Sequence, residues 1–205
     1  MDLPDDLVLP LRSGEPWWYW LGGRPSLDFV NTLRERWWRN VETLVTPADL
    51  AIWLRQAGLA SPESPGSASQ AQLRSARALR AAIDTAVATS IDGREIPAGC
   101  VETIDRSLPA AALPRTLGLD SPHEPVLRTA EPTDPVQHAL GLVALDAAEM
   151  LGSEQRGRAR ICASDTCSAR FYDRSPAAGR MWCSMRGCGN VAKARRHRQR
   201  ARAAG

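Results

Sequence analysis

Apolar positions along this chain fall into short blocks separated by glycine, proline and serine, and most blocks repeat at helical rather than strand spacing. In LGGRPSLDFVNTLRERWW, Gly22, Gly23 and Pro25 make a turn, and Ser26 is placed to cap a helix carrying Leu27, Val30, Leu33 and Trp37 on one face. TPADLAIWLRQAGL predicts a short helix: Thr46 is the N-cap, Pro47 the first helical residue, Asp49 the third and Gly58 the stop, with Leu50, Trp53 and Leu54 turned inward. Residues 60–69 are a flexible loop by composition. They lead into a long alanine-rich helix that runs to about Ser90 and carries Leu73, Leu79, Ile83 and Val87. A second short helix is expected over 97–108.

Pro109, Pro114, Pro122, Pro125 and Pro132 break the next stretch too often for a helix, and TLGL and PVLRTA are placed to pair as a hairpin around SPHE. TDPVQHALGLVALDAAEMLGS then restarts a helix with Thr133 as its cap. Val136, Leu140, Val143, Leu145 and Leu151 make it apolar nearly all round, as expected of a central buried helix ending at Gly152. His138, alone on that helix, reads as structural. The aromatic run Trp17, Trp18, Tyr19 and Trp20 reads as core packing or sheet cover before it reads as a ligand pocket.

Composition adds a cellular setting. With 205 residues and 43% hydrophobic content the chain can bury a core. No apolar run approaches the roughly 18 residues of a membrane span, and the acidic start MDLPDDLVLP lacks the basic region of a secretory signal, so the expectation is a cytoplasmic protein without membrane contact. The net charge of +3 hides an asymmetry: residues 1–173 hold 17 basic and 23 acidic residues, whereas 174–205 hold nine basic and none acidic. An acidic body with a basic tail points to an anionic partner for the tail, nucleic acid first.

The five cysteines change the picture most. Cys100 sits in a weakly amphipathic helical stretch and reads as an inert thiol. The other four fall as Cys162-x4-Cys167, then fifteen residues, then Cys183-x4-Cys188. Two short loops that each deliver two thiolates suit a tetrahedral zinc site with Zn–S near about 2.3 Å. Between the pairs, ARFYD alternates like a strand, SPAAG supplies a turn and RMW is placed to return as a second strand. GNVAKARRHRQRARA is helix-competent and puts Cys188 at or in its first turn, which gives the treble-clef order of knuckle, hairpin and helix. Arg160, Arg170, Arg180 and Arg186 are close enough in sequence to offset the charge of four thiolates on one Zn²⁺. Other thiol chemistries fit less well. A redox dithiol usually wants C-x-x-C, an iron–sulfur cluster suits this hairpin and basic helix less than zinc, and catalytic zinc needs an open position that four cysteines close.

On the last helix, Lys193, Arg196 and Arg200 fall on one side and Arg195, Arg198 and Arg202 on the other. A helix basic all round cannot enter a core, so it either projects into solvent or lies against phosphates through backbone electrostatics. Asn190, at its start, can reach a base edge or phosphate, or brace the zinc loop.

WCSMRGCGNVAKARRHRQR resembles the signature of the CGNR zinc-finger family, and LGGRPSLDFVNTL with TPADLAIWLRQAGL resembles the N-terminal ABATE domain that accompanies it. The resemblance spans nearly the whole chain, including the knuckle RICASDTCSARFYDRS. It implies a bacterial, stress-related transcription regulator that binds nucleic acid through its zinc module and has no enzymatic activity. Cys162, Cys167, Cys183 and Cys188 then take the zinc-ligand roles, and Gly189 and Asn190 match the named motif. Val191 stands where the motif has arginine, and Lys193 and Arg195 are the nearest charges able to compensate.

The expected fold class is α+β: a mostly helical N-terminal body over 1–155 with a short β-hairpin, plus a C-terminal treble-clef-like zinc finger over 156–205. The expected function is transcriptional regulation by nucleic-acid binding, DNA before RNA, with Asn190, Lys193, Arg195, Arg196, Arg198 and Arg200 as contacts. The body is expected to sense a small-molecule effector or to mediate a homodimer. The rival reading is a protein-interaction module that docks the basic tail on an acidic partner. An enzyme fits poorly, because Asp28 and Asn31, one helical turn apart, lack a paired base or nucleophile.

Overall fold

Helix α3 (Gln70–Ile91) and helix α5 (Pro135–Leu151) supply much of the wall of one hydrophobic core in the computed structural model, which describes residues 3–61, 68–120 and 123–203. Helices α1 (Pro25–Val30), α2 (Pro47–Gln56) and α4 (Ala98–Asp105) complete the body. Strands β1 (Leu33–Arg34) and β2 (Val41–Glu42) pair antiparallel, as do β3 (Arg115–Asp120) and β4 (Glu124–Thr129). The C-terminal part adds β5 (Ala159–Ile161), β6 (Arg170–Tyr172) and α6 (Asn190–Ala203). This is an α+β protein in which helix predominates.

Helix α2 forms where its signals place it. The Thr46 hydroxyl accepts from the Asp49 amide at 3.2 Å, and the Asp49 carboxylate accepts from the Thr46 amide at 2.7 Å, a reciprocal capping box. Asp49 also accepts from the Ser13 hydroxyl and the Gly14 amide, which ties the N-terminal segment to the helix. Trp53 and Leu50 are fully buried, and Trp53 packs against Phe29 with ring centroids 5.2 Å apart. Of the aromatic run, Trp18 is buried, while Trp20 is half-exposed and stacks on Trp53 at 5.5 Å. Helix α3 begins at a second capping box, between Ser69 and Gln72, and buries Leu73, Leu79, Ile83 and Val87 as the pattern predicts. Most of the loop expected over 60–69 lies outside the described residues.

Helix α5 buries Ala139, Leu140, Val143, Ala144, Ala147 and Met150, and its small residues allow close approach. At Gly141 a Cβ would lie 2.5 Å from the amide nitrogen of Ala111, so glycine is what lets the 3-10 turn Leu108–Ala111 cross the helix there. His138 Nδ1 bonds the Ala110 carbonyl oxygen at 2.8 Å, a structural use. The cap of α5 falls one residue later than Thr133: Asp134 accepts from the Gln137 amide. Pro135 is the reason, since a residue before proline is pushed to extended backbone and becomes the natural N-cap. Leu145 is 38% exposed, so α5 is not apolar all round.

Helix α1 departs most from expectation. It ends at Val30, and Ser26 does not cap it; Arg24 occupies the N-cap position without a side-chain bond. The missing acceptor comes from α5, where the Asp146 carboxylate takes the Ser26 amide at 2.9 Å, the Ser26 hydroxyl and Arg24 Nε at 3.0 Å. A carboxylate at a helix N-terminus also suits the helix dipole. Leu33 passes into β1, and Trp37 is 53% exposed rather than on a buried helix face.

Asp28 faces back toward the turn that precedes α1. Its Oδ1 accepts from the Gly22 amide at 2.7 Å, and a Cβ on Gly22 would strike the Asp28 amide nitrogen at 2.6 Å. Burial pushes the Asp28 carboxyl up to about 6, against the pull of the Gly22 and Leu21 amides. Because the native state holds this proton more tightly than the unfolded chain, stability falls as pH rises from about 4 to about 6. We expect Asp28→Asn, whose side-chain carbonyl can still accept from Gly22, to match the parent at pH 4 and exceed it by roughly 2 kcal/mol at pH 7. Urea denaturation of both proteins across that range checks this.

Candidate metal centre and basic helix

Strand β5 runs into Cys162, and β6 leaves Cys167 and pairs back on β5, with Ile161 opposite Arg170 and Ala159 opposite Tyr172. The first cysteine pair therefore sits at the tip of a β5–β6 hairpin, where Cys162 donates its amide to Ala169 at 2.9 Å and Cys167 to Ser164 at 3.1 Å. This corrects the expected hairpin between ARFYD and RMW. The residues 180–182 form no strand and touch the knuckle through a backbone bond from Ala163 to the Met181 carbonyl at 2.8 Å. The cause is Asp173, fully buried, which accepts from the amides of Ser175 at 3.0 Å and Arg180 at 2.8 Å and closes SPAAG as a loop. Burial would raise its pKa, but those donors outweigh it and hold Asp173 at about 2.

Of the second pair, Cys183 stands just ahead of a π-helical turn, Met185–Gly189, that carries Cys188; the cap of the turn is Ser184, the acceptor for the Gly187 amide. That turn runs straight into α6. All four sulfurs lie within 4.8 Å of one another and all four residues are buried. Cys183 Sγ is 3.9 Å from Cys167 Sγ and 3.8 Å from Cys188 Sγ. A regular tetrahedron with metal–sulfur arms near 2.3 Å has edges of about 3.8 Å, so this spacing fits four thiolates around a single ion. It is far beyond a disulfide bond of about 2.05 Å, and it leaves no room for the inorganic core of an iron–sulfur cluster. Hydrogen bonds from Cys167, Cys183 and Cys188 hold Cys162 toward thiolate, whereas the crowding of Cys162, Cys167 and Cys188 pushes Cys183 up.

The body reaches into this centre. Asn31, just after α1, accepts from the Arg170 amide and donates to the Arg170 carbonyl, both at 2.8 Å, so one buried side chain pairs with β6 as a neighbouring strand would. The Arg36 amide donates to the Ser168 hydroxyl at 3.0 Å, and Tyr172 donates its amide to Gly22 at 2.7 Å. Asp84, from α3, bridges two guanidiniums: Arg170 at 2.7 Å and Arg36 at 3.0 Å. Burial lowers Arg36 to about 10 and lowers Arg170 as well, while Asp84 acts to restore both. Cys167 acts on Arg170 and also on buried Arg34 of β1, a body residue that the local sequence around the cysteines could not nominate. Of the nearby arginines expected to balance the thiolates, Arg160 binds the carbonyls of Gly157, Ala159 and Ala178, and Arg180 binds those of Trp182 and Cys183.

Helix α6 is solvent-exposed along nearly all of its described length. Asn190 braces the turn before it, donating to the Arg186 carbonyl at 3.3 Å. Arg195 pairs with Asp165 of the knuckle, and the Arg196 guanidinium lies 5.8 Å from the Trp182 ring centroid. Lys193, Arg198 and Arg200 have no carboxylate partner among the described residues. Asp28 and Asn31 are taken up by the structural bonds above.

Two family descriptions match the chain. Residues 23–154 match ABATE, described as "Putative stress-induced transcription regulator", and residues 158–201 match the CGNR zinc finger. No curated protein matches it. No helix among the described residues is long and apolar enough to cross a membrane.

Removing Asp84 leaves two buried guanidiniums without the carboxylate that bridges them. Asp84→Ala should cost about 3–5 kcal/mol in urea denaturation, and adding Arg36→Met to it should recover part of the loss.

Proposed function

The chain belongs to the ABATE family, and on that premise we propose that it is a regulator of transcription that binds nucleic acid, DNA before RNA, through a zinc-anchored basic helix. In this reading Cys162, Cys167, Cys183 and Cys188 hold one Zn²⁺. Four soft thiolates at tetrahedral spacing favour zinc over hard cations. Bound there, the ion would supply folding energy and fix where α6 leaves the finger, and four thiolates would fill its ligand shell, so the role assigned to the site is structural and not catalytic.

The observation that carries the reading is the unpartnered charge on α6. Lys193, Arg198 and Arg200 project from a helix without an apolar stripe, where phosphates gain most and a core gains nothing. Asn190 supports the turn, and Arg195 and Arg196 add charge once their contacts with Asp165 and Trp182 open. The body is assigned effector sensing or self-association. A second reading, docking on an acidic protein, has one observation in its favour: Arg195 already pairs with a carboxylate of its own chain.

Cys183→Ser should release the ion, because three thiolates cannot close the site, and metal analysis of purified protein should fall from one zinc per chain toward none. Unchanged metal content would sink the four-cysteine assignment. For the helix, the full-length protein should bind duplex DNA with log K falling about 0.9 per phosphate contact against log salt. Lys193, Arg198 and Arg200 changed together to Ala should flatten that slope by up to about three contacts. No binding at low salt would favour protein docking instead.

A further inference from the structure

Beneath α6 lies an open cleft of about 290 Å³. Its apolar walls are Met181 and Trp182 ahead of Cys183 and Val191 and Ala192 of the helix, while the knuckle residues 163–165, the Arg195–Asp165 ion pair, Arg196 and Gln199 complete the lining. The volume suits one planar ring system rather than an extended ligand. Met181 is 55% exposed and Val191 49%, apolar surface on an otherwise highly charged element. A phosphate gains nothing from such a surface. A nucleobase does, because it presents a flat apolar face with polar edges.

The details around Trp182 fit that occupant. Arg196 stands 5.8 Å from the indole centroid, near the outer limit of a cation–π contact at about 6 Å, so a small swing of its flexible stem opens a slot between guanidinium and ring. Gln199 offers both a donor and an acceptor at the rim. A base in a duplex is stacked and cannot enter such a slot, whereas an unpaired base can.

We propose that this cleft seats one unpaired base, stacked on Trp182 and covered by Arg196, so that the finger prefers single-stranded nucleic acid or an unpaired loop to a duplex. The proposal rests on the nucleic-acid reading above and names the form of the partner. Lys193, Arg198 and Arg200 would follow the backbone on either side of the seated base.

The test uses the full-length, zinc-loaded protein with labelled oligo-dT, oligo-U and a duplex of equal strand length, measured by anisotropy near 0.15 M salt. The single strands should bind about tenfold tighter than the duplex, and the dT and U arms tell DNA from RNA. Trp182→Leu keeps an apolar cover on the cysteine centre but has no ring face. It should weaken single-strand binding about tenfold with an unchanged salt slope, while Trp182→Phe retains most of it. Zinc content shows that each variant has kept its finger. Independently of those variants' stability, single strands should quench the parent's tryptophan fluorescence more than the duplex does. Binding to duplex and single strand alike, indifferent to Trp182→Leu, overturns this proposal and leaves the nucleic-acid reading standing; no binding to any of the three at low salt overturns both.

Discussion

The Asn31 side chain and the Arg170 backbone form the bond on which the arrangement of this protein turns. A carboxamide offers a donor and an acceptor side by side, the same pair that a strand offers its neighbour, and Asn31 uses both on β6. Both groups are buried, so neither has water to fall back on. Beside it, Asp84 bridges Arg36 of the body and Arg170 of the finger, and Ser168 takes the Arg36 amide. The strand that leaves Cys167 is therefore held by α1 and α3, and the position of the cysteine centre is set by the helical body as much as by its own hairpin.

Electrostatics follow from that seam. Buried guanidiniums are costly unless their charge is answered, and here the Asp84 carboxylate answers Arg170 at 2.7 Å, with a smaller contribution from a thiolate at Cys167. Arg34 stacks on Tyr19 at 3.6 Å, and its charge is favoured by Tyr19 and Glu35 and, to a smaller extent, by a thiolate at Cys167. The sulfur cluster and the body thus share positive charge across their boundary. Helix α6 stands outside this economy of paired charges. Among the described residues Arg195 and Arg196 turn back onto the finger, and Lys193, Arg198 and Arg200 face solvent.

Local chemistry read directly from the chain was enough for several elements. The boxes at Thr46 and Ser69 form within four residues, and the hairpin of β3 and β4 needs only neighbours in sequence. The grouping of Cys162, Cys167, Cys183 and Cys188 was legible too, since matched loops that each bring two soft donors have few other uses. Where a competing partner was distant in sequence, local signals misled. Ser26 looked like a cap because serine commonly caps, but Asp146, 120 residues away, supplies the acceptor and draws Ser26 inside the first turn. RMW looked like a return strand because it follows the SPAAG turn after alternating ARFYD, but buried Asp173 takes the Arg180 amide that would have joined a ladder.

The sequence by itself determined which residues could bind metal, where most helices begin, and that the C-terminal cations could not be buried, because each of these depends on side-chain type and short spacing. The tertiary structure alone decided that Asn31 and Asp84 clasp the finger, that Arg34 joins the thiol field, and that Trp182, Val191 and Arg196 enclose a cleft. The first two depend on distances between segments far apart in the chain, which only packing of the core brings together, and the third on the Met185–Gly189 turn that sets α6 against the knuckle.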